Sequence, residues 1–325
     1  MALITNTATR YDASRLVKED ISDVIYNISP TDTPVIANAG RDTAKQTLFE
    51  WSTDGLAAAA NTPVVEGDDV IGVTDARAPT NRVNNYTQIN RKLISASGTL
   101  EATDKVGMRS WMAYELSKAS AEMKRDMELA VTGLQVGAVG SNAVARKTAG
   151  MGAWIVTNYM PGATGVAPVY SGGGLNGTPS TAAQAGTPRA FTEALFKSAQ
   201  QAVWDQGGDP KVAFMGAKQK TVFSTFAGIA TRFRDVPAGK QATIVGAADV
   251  YIGDFGETVV VPDRFMPATV VYVGDPQYIS LAYLRNFRTE ELAKTGDATK
   301  KMVLCEWGLR MKSQYSWANI ADLTP

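Results

Sequence analysis

Apolar residues recur between Thr99 and Leu134 at the spacing that places them on one face of a helix. Successive members are three or four positions apart, and they are Met108, Met112, Leu116, Ala119, Met123, Met127, Ala130 and Leu134. Such a stripe is typical of an amphipathic α-helix, which over this length would extend about 50 Å. The pattern predicts one helix over residues 99–134, with Thr99 as its N-cap and glycines 133 and 137 marking its end.

A second long pattern alternates from Val303 to Trp317, where nearly every other residue is apolar. A period of two indicates a β-strand, here about 16 residues and about 50 Å long. We expect Glu306, Gly308 and Arg310 on its solvated face. The methionine stripe should pack on its buried face, because methionine commonly fills cores, although it can also line an adaptable binding groove. The candidate core residues are Met112, Leu116, Met123, Met127, Trp307, Leu309 and Met311.

Four further segments follow from the remaining patterns. Residues 21–28 have the spacing of a short amphipathic helix. Residues 47–94 are interpreted as two strand-like limbs, TLFEWST and RVNNYTQINRKLI, joined by a flexible tip. The Gly-, Ala-, Thr- and Pro-rich composition of residues 135–190 predicts a loop-dominated insertion.

From Phe191 a compact α+β unit is predicted. Its helices are TEALFKSAQQAVWDQ and AKQKTVFSTFAG, and its strands are KVAFMG, DVYIGDFGETVVVP, ATVVYVGD and YISLAYL.

Charge is sorted between the two limbs of residues 47–94 and their tip. The first part carries only acids, which are Glu50, Asp54, Glu66, Asp68, Asp69 and Asp75, and the second carries only the bases Arg77, Arg82, Arg91 and Lys92. Either the limbs attract each other, or the excursion docks on a neighbouring copy by matching charge. For the second interpretation the candidate inter-subunit contacts are Glu66, Asp68, Asp69, Arg77, Arg82, Arg91 and Lys92.

The composition excludes several kinds of chemistry. Lys plus Arg and Asp plus Glu both number 32, so no global field attracts nucleic acid or an acidic membrane. The chain has no histidine and one cysteine, Cys305. This excludes Ser-His-Asp and Cys-His catalysis, histidine zinc sites and thiolate clusters. No apolar run is long enough to span a bilayer and the first residues lack a signal-peptide pattern, so we expect folding in a cytoplasm.

Glycine-rich and acidic stretches do not complete any cofactor motif. TGDATKK and PAGKQAT lack the first glycine and final hydroxyl of a phosphate-binding loop. GGGLNG lacks the spacing of a dinucleotide-binding loop, and EGDD lacks the spaced oxygen ligands of a calcium loop. We therefore predict no catalytic residue, no cofactor, no metal and no enzymatic activity.

The order of these segments resembles the major capsid proteins of tailed bacteriophages with the HK-97-like fold. The most similar stretches are ISPTDTPV at 28–35, FGETVVVPDRFMP at 255–267 and LAKTGDATKKMVLCEWGLRMK at 292–312. The resemblance implies an α+β fold with an N-terminal arm at 1–46 and an extended E-loop at 47–95. It implies a P domain whose first part, 96–190, contains the spine helix and the Gly/Thr-rich insertion. A compact A domain at 191–284 would follow, with the P domain completed by long β-strands in 285–325.

This resemblance implies a subunit that self-assembles, as pentamers and hexamers, into the icosahedral head around double-stranded DNA. Portal, scaffolding and cement proteins would be further partners, with only weak nonspecific contact with DNA and none with a membrane. The protein would reside in the virion after assembly in the bacterial host cytoplasm. Two alternatives stay open: another self-assembling structural subunit, such as a tail tube, fibre or S-layer protein, and an enzyme that uses carboxylates or lysine.

Overall fold

The structure, a computed structural model, describes residues 32–56, 59, 61–67, 80–105, 107–226, 249–294 and 296–325. The helix predicted at 21–28 lies outside these residues. The α-helices that they form are α1 (Pro34–Asn38), α2 (Gly98–Ala102), α3 (Trp111–Thr132), α4 (Met151–Trp154), α5 (Glu193–Asp205) and α6 (Ala217–Phe223).

The strands up to residue 181 are β1 (Gly40–Thr43), β2 (Leu48–Thr53), β3 (Asn81–Tyr86), β4 (Gln88–Ser97), β5 (Tyr159–Met160), β6 (Val169–Tyr170) and β7 (Pro179–Thr181). The later strands are β8 (Val212–Met215), β9 (Val250–Gly253), β10 (Gly256–Pro262), β11 (Val271–Gly274), β12 (Ile279–Leu292), β13 (Ala298–Met311) and β14 (Trp317–Ile320). Two single 3-10 turns, Pro276–Tyr278 and Gln314–Ser316, precede β12 and β14.

A four-stranded sheet in the order β1-β12-β13-β4 forms the elongated part of the subunit. Strands β12 and β13 are antiparallel partners of 14 residues each, and β4 is antiparallel to β13 at the sheet edge. At about 3.3 Å per residue, β13 extends about 46 Å. Helix α3 packs on this sheet. Lys92 in β4 pairs with Asp126 in α3, so α3 covers the face of β4 on which Lys92 lies.

The predicted single helix over 99–134 is wrong at its start. Ser97 caps α2 and Ser110 caps α3, each by accepting a backbone amide hydrogen bond with its side chain. α2 ends at Ala102, where its C-cap Thr103 is extended, and in the linker Gly107 has a positive φ of 73°, a left-handed conformation that a continuous helix does not contain. Met108 therefore precedes α3, and Thr99 lies inside α2 rather than at its cap.

The predicted strand from Val303 to Trp317 is two strands in two sheets. β13 begins earlier, at Ala298, and ends at Met311, while β14 begins at Trp317 after the 3-10 turn. The apolar alternation continues across the break because both strands are buried. The prediction that Glu306 and Gly308 lie on a solvated face of the strand is also wrong, because both residues are buried in β13.

A six-stranded sheet in the order β5-β14-β11-β8-β10-β9 forms the compact part, with α5 packed against β14 and β11. KVAFMG forms β8 as predicted, whereas the single strand expected in DVYIGDFGETVVVP is the hairpin β9–β10. YISLAYL does not join this sheet, because it begins β12. The sheet also draws β5 and β14 from outside residues 191–284, and the division into domains stays a prediction.

The predicted core residues lie together in one apolar cluster that connects helix and sheet. Met112, Met123, Met127, Trp307, Leu309 and Met311 are buried members, and Leu116 packs on the cluster at half burial. The cluster continues into Phe214 and Trp317 of the six-stranded sheet. This cluster therefore connects both parts of the subunit, while a second apolar cluster, around Phe196 and Phe223, lies in the compact part. No helix among the described residues is long and apolar enough to cross a membrane.

Candidate interaction surface

The predicted excursion at 47–95 contains an antiparallel hairpin formed by β2 and β3. Its register runs from Leu48 opposite Tyr86 to Thr53 opposite Asn81. Beyond Thr53 the described part of the tip exposes Leu56, Val64 and Val65 almost completely. Apolar side chains that stand free in water favour burial against a partner.

Two of the predicted inter-subunit contacts pair within the subunit. Arg82 forms an ion pair with Glu50 across the hairpin. The Lys92 ammonium lies 2.8 Å from the carboxylate of Asp126 and 3.8 Å from that of Glu122, both in α3. These contacts agree with attraction inside the subunit, and for Lys92 the partner is the helix rather than the acidic limb.

The other predicted contact residues fall into two groups. Arg91 and Glu66 are exposed at the surface of the subunit. Asp68, Asp69 and Arg77 lie outside the described residues. The role of all seven as inter-subunit contacts stays a prediction.

The root of the hairpin is tied to the sheet through Glu306. Thr87, the single residue between β3 and β4, is buried and donates its hydroxyl to Glu306 Oε1 at 2.9 Å. Arg146 Nη2 and Arg285 Nε each donate to the same carboxylate at 2.7 Å. Because the carboxylate is buried, these three donors replace the water that it loses on folding. Glu306 thus joins β13, β12, the hairpin root and the 135–190 insertion.

A second polar cluster holds Asn85, which is fully buried at the end of β3. Its Nδ2 donates to the carbonyl of Leu309 at 2.7 Å and to Thr148 Oγ1 at 3.0 Å. Its Oδ1 accepts from the amide of Ala149 at 3.1 Å, and Thr148 Oγ1 also accepts from the amide of Leu309 at 3.0 Å. Every polar atom of the Asn85 amide group therefore has a partner on the body of the subunit.

The outer edge of β3 is covered by the loop between β6 and β7. The amide of Gly177 donates to the carbonyl of Arg82 at 2.8 Å, and the amide of Asn84 donates back to Gly177 at 3.2 Å. The amide of Arg82 donates to Asn176 Oδ1 at 3.0 Å. Gly177 has a positive φ of 85°, and a Cβ there would lie 2.5 Å from Ser171 Oγ. Glycine is therefore required at this close approach.

Aromatic packing completes the attachment of the hairpin. The Trp51 ring lies 5.4 Å from that of Trp154 and 5.8 Å from that of Phe49. Beside the distal end of the hairpin lies a cavity of about 420 Å³, bounded by Thr53, Asn81 and Trp154 among others.

The described residues contain no group of three or more His, Cys, Asp or Glu side chains placed to hold a metal ion. Burial raises the pKa of Cys305 to about 12, and the neighbouring Glu306 charge adds to this effect. A thiol with such a pKa is almost entirely protonated at neutral pH and is a poor nucleophile.

Sequence reasoning missed Glu306, Asn85, Arg146 and Thr148. Each is an ordinary polar residue in a strand or loop. The contacts of Arg146 with Glu306, and of Asn85 with Thr148 and Ala149, join residues more than 60 positions apart. For Glu306 the misleading signal was its place among polar residues of an alternating strand. One signal could have indicated that Glu306 is buried: it has apolar neighbours on both sides, in the segment LCEWGL.

Comparisons with known proteins were consistent with one another. Residues 3–324 match the family model described as SU10 major capsid protein. A relative described as the major capsid protein of Escherichia phage Phieco32 is 36% identical over 112 residues, 34% of this chain. The match spans about a third of the length of that relative, 31%.

Solved phage structures are similar to this chain over almost its whole length. The chain described as the cyanophage A-1(L) capsid asymmetric unit gives a TM-score of 0.70 at 13% identity, covering 98% of this chain and 100% of the other. A chain of Mycobacterium phage Adephagia gives 0.63 at 10% identity, covering 98% and 99%. At such identities the likeness concerns the fold, and it confirms the predicted HK-97-like α+β fold.

Proposed function

This chain belongs to the SU10 major capsid protein family, and from that premise we propose that it is the subunit of an icosahedral head. The head would enclose the double-stranded DNA genome of a tailed bacteriophage. The subunit acts as a structural protein without enzymatic activity. It forms pentamers and hexamers with other copies of itself, resides in the virion and assembles in the bacterial host cytoplasm.

The observation that supports this proposal best is the joining of a long sheet to a compact one. Strands of about 46 Å and a 22-residue helix of about 33 Å lie side by side. They share a core with the six-stranded sheet. An elongated subunit of this kind covers a large area of shell per residue and presents several edges to neighbours. Contacts between different surfaces of identical copies then generate closed rings and shells.

The E-loop is proposed to make one of these contacts. Its described tip exposes Leu56, Val64 and Val65, and its first part carries a surplus of acids. Docking on a neighbour would bury the apolar side chains and bring the acids near basic groups. Arg91 and Glu66 are exposed and available for such contacts, whereas Arg82 and Lys92 would first exchange their internal partners.

Contacts with other components follow from the same role. Portal, scaffolding and cement proteins are proposed partners of the shell. With a formal charge of zero, the chain is expected to bind packaged DNA only weakly and without sequence preference. Weak binding allows DNA to move while the head is filled.

The test is electron microscopy of the purified full-length protein across a range of concentrations and salts. Closed shells, or rings of five and six subunits, are expected above a threshold concentration. Tubes, fibres or flat sheets would favour the alternative of a tail-tube, fibre or S-layer subunit. A particle that stays monomeric in light scattering under all conditions would contradict self-assembly.

A further inference from the structure

We propose that two parts of the 135–190 insertion form a brace that fixes the orientation of the hairpin β2–β3, with Arg146 and Thr148 as its positioning residues. The brace is defined as residues 146–149 and 176–178. The consequence for shell assembly rests on the proposed function, whereas the orientation itself is a property of the single subunit.

The hairpin needs contacts with the rest of the protein because its own two strands stabilise it only weakly. It is a two-stranded sheet of six residues per strand, and such a sheet is marginal in isolation. On the β3 side one residue, Thr87, separates it from β4 of the four-stranded sheet. A single connecting residue does not fix the angle between two sheets unless its neighbours are held.

The brace holds the hairpin at two levels. Near the root, Thr148 and Ala149 bind the side chain of Asn85, and Arg146 binds the Glu306 carboxylate that also receives Thr87. Further out, Asn176 and Gly177 bond to the backbone of β3. Two separated attachments along one strand define a direction, which a single attachment would not.

Polar contacts are suited to fixing an angle. A hydrogen bond weakens steeply when its geometry bends, and a buried polar group left without its partner is costly. The apolar contacts of Phe49 and Trp51 are non-directional and permit sliding. The polar brace therefore selects one orientation from those that the apolar packing allows.

Because the hairpin is long, a small change of its angle at the root gives a large displacement of its far end. From Thr87 to the distal end of β3 the chain extends about 20 Å. A rotation of roughly 10° at the root would move that end by roughly 3 to 4 Å over this length. A hydrogen bond does not tolerate a displacement of this size, so the proposed contact of the tip with a neighbouring copy would be lost, although none of the brace residues needs to contact the neighbour.

The test measures the orientation in the unassembled full-length subunit. Spin labels are attached at Ser52→Cys on β2 and Ser117→Cys on α3, which are both exposed, while Cys305 is buried. Pulsed electron paramagnetic resonance then gives the distribution of distances between them. The parent protein is expected to give one narrow distribution.

The variants are chosen as matched pairs. Arg146→Gln removes the bond to Glu306, and Lys147→Gln removes the same charge from the exposed next residue. Thr148→Val removes the hydroxyl that serves Asn85 and Leu309, and Thr148→Ser retains it. Arg146→Gln and Thr148→Val should broaden or shift the distribution by roughly 3 Å or more, while Lys147→Gln and Thr148→Ser should match the parent.

Two results would overturn the brace. One is an unchanged distribution in Arg146→Gln, which also decides the question if Thr148→Val does not fold. The other is equal broadening in Lys147→Gln, because the effect would then come from charge and not from the contact. Shell formation by Arg146→Gln is examined separately by electron microscopy. If labels broaden and shells still form normally, the orientation is fixed by the brace but assembly does not depend on it, and the assembly part is wrong.

Discussion

The carboxylate of Glu128 in α3 accepts a hydrogen bond of 2.6 Å from the backbone amide of Val35 in α1, 93 positions earlier in the chain. Its second oxygen accepts from the amide of Ile36 at 2.9 Å. The two amides belong to the first turn of a helix, where they have no partner inside the helix. One buried side chain thus attaches α1, in the segment predicted to be the N-terminal arm, to α3.

We expect Glu128 to make the stability of the subunit depend on pH. Burial raises the pKa of its carboxyl group from 4.5 to about 7, and the nearby Asp263 adds to the rise. The Val35 and Ile36 amides act in the opposite direction, but burial is the larger effect. Between these two pH values the folded state keeps a proton that the unfolded state has lost. The contribution of Glu128 is therefore fully present below pH 4.5 and is lost as the pH rises through about 7.

The variant Glu128→Gln should flatten that part of the profile. The free energy of unfolding, measured in urea from pH 4 to pH 8, should fall less steeply with pH in the variant than in the parent. Between pH 4 and pH 8, the parent should lose at most about 3 kcal/mol more of its free energy of unfolding than the variant. Glu122→Gln, at a partly exposed acid of the same helix, should keep the parent profile. Parallel curves for Glu128→Gln and the parent would show that Glu128 does not titrate in this range.

Met123→Asp tests the core between helix and sheet. Met123 is fully buried in the cluster that contains Trp307 and Leu309, so the variant places an unpaired carboxylate in an apolar environment. We expect a loss of about 3 kcal/mol or more in the free energy of unfolding. Leu129→Asp, at a position of α3 that is 58% exposed, should change it little. Equal melting temperatures for Met123→Asp and the parent would contradict the packing.

Reversing the charge of Asp68 and Asp69 to lysine tests the E-loop as a docking element. The sequence predicts a flexible, solvated tip at these two residues, and solvated charges contribute little to folding, so the melting temperature of the subunit should stay almost unchanged. Shell formation, followed by light scattering, should be slower or misdirected, and less so at high salt because salt screens the attraction. The matched control reverses Asp254 and Glu257, two exposed acids of the β9–β10 hairpin.

The outcome for that double variant separates two roles. Assembly equal to that of the parent would remove the acidic tip from the docking contact. A large drop in melting temperature would instead mean that the tip stabilises the subunit in which it resides.

Cys305 should report on the integrity of β13. The thiol is buried and its pKa is raised to about 12, so a thiol reagent at pH 8 should not modify the folded subunit. In guanidinium chloride one thiol per chain should react rapidly, because the sequence contains one cysteine. Rapid modification without denaturant would show that β13 opens in the native subunit.

The elements that could be located from the sequence are those whose side chains repeat with a fixed period. The methionine stripe of α3 and the alternation of β13 are local patterns, and a helix or strand buries such a pattern on one face wherever it lies. The core candidates Met123 and Trp307 followed from these periods. The absence of histidine from the sequence likewise limited the available chemistry.

The interruptions of these patterns, and the identity of the buried polar residues, became visible in the folded protein and could not be read from the periods. α2 ends at Ala102 and Ser110 caps the start of α3, yet the apolar spacing from Met108 to Met112 continues across that cap. The turn after Met311 moves the chain from one sheet to another while both strands stay buried. Glu306 is inside because Thr87 and Arg146, from distant parts of the chain, and Arg285, opposite it in β12, bind its carboxylate. A carboxylate without such partners belongs in water, and a local pattern carries no information about partners that folding alone brings together.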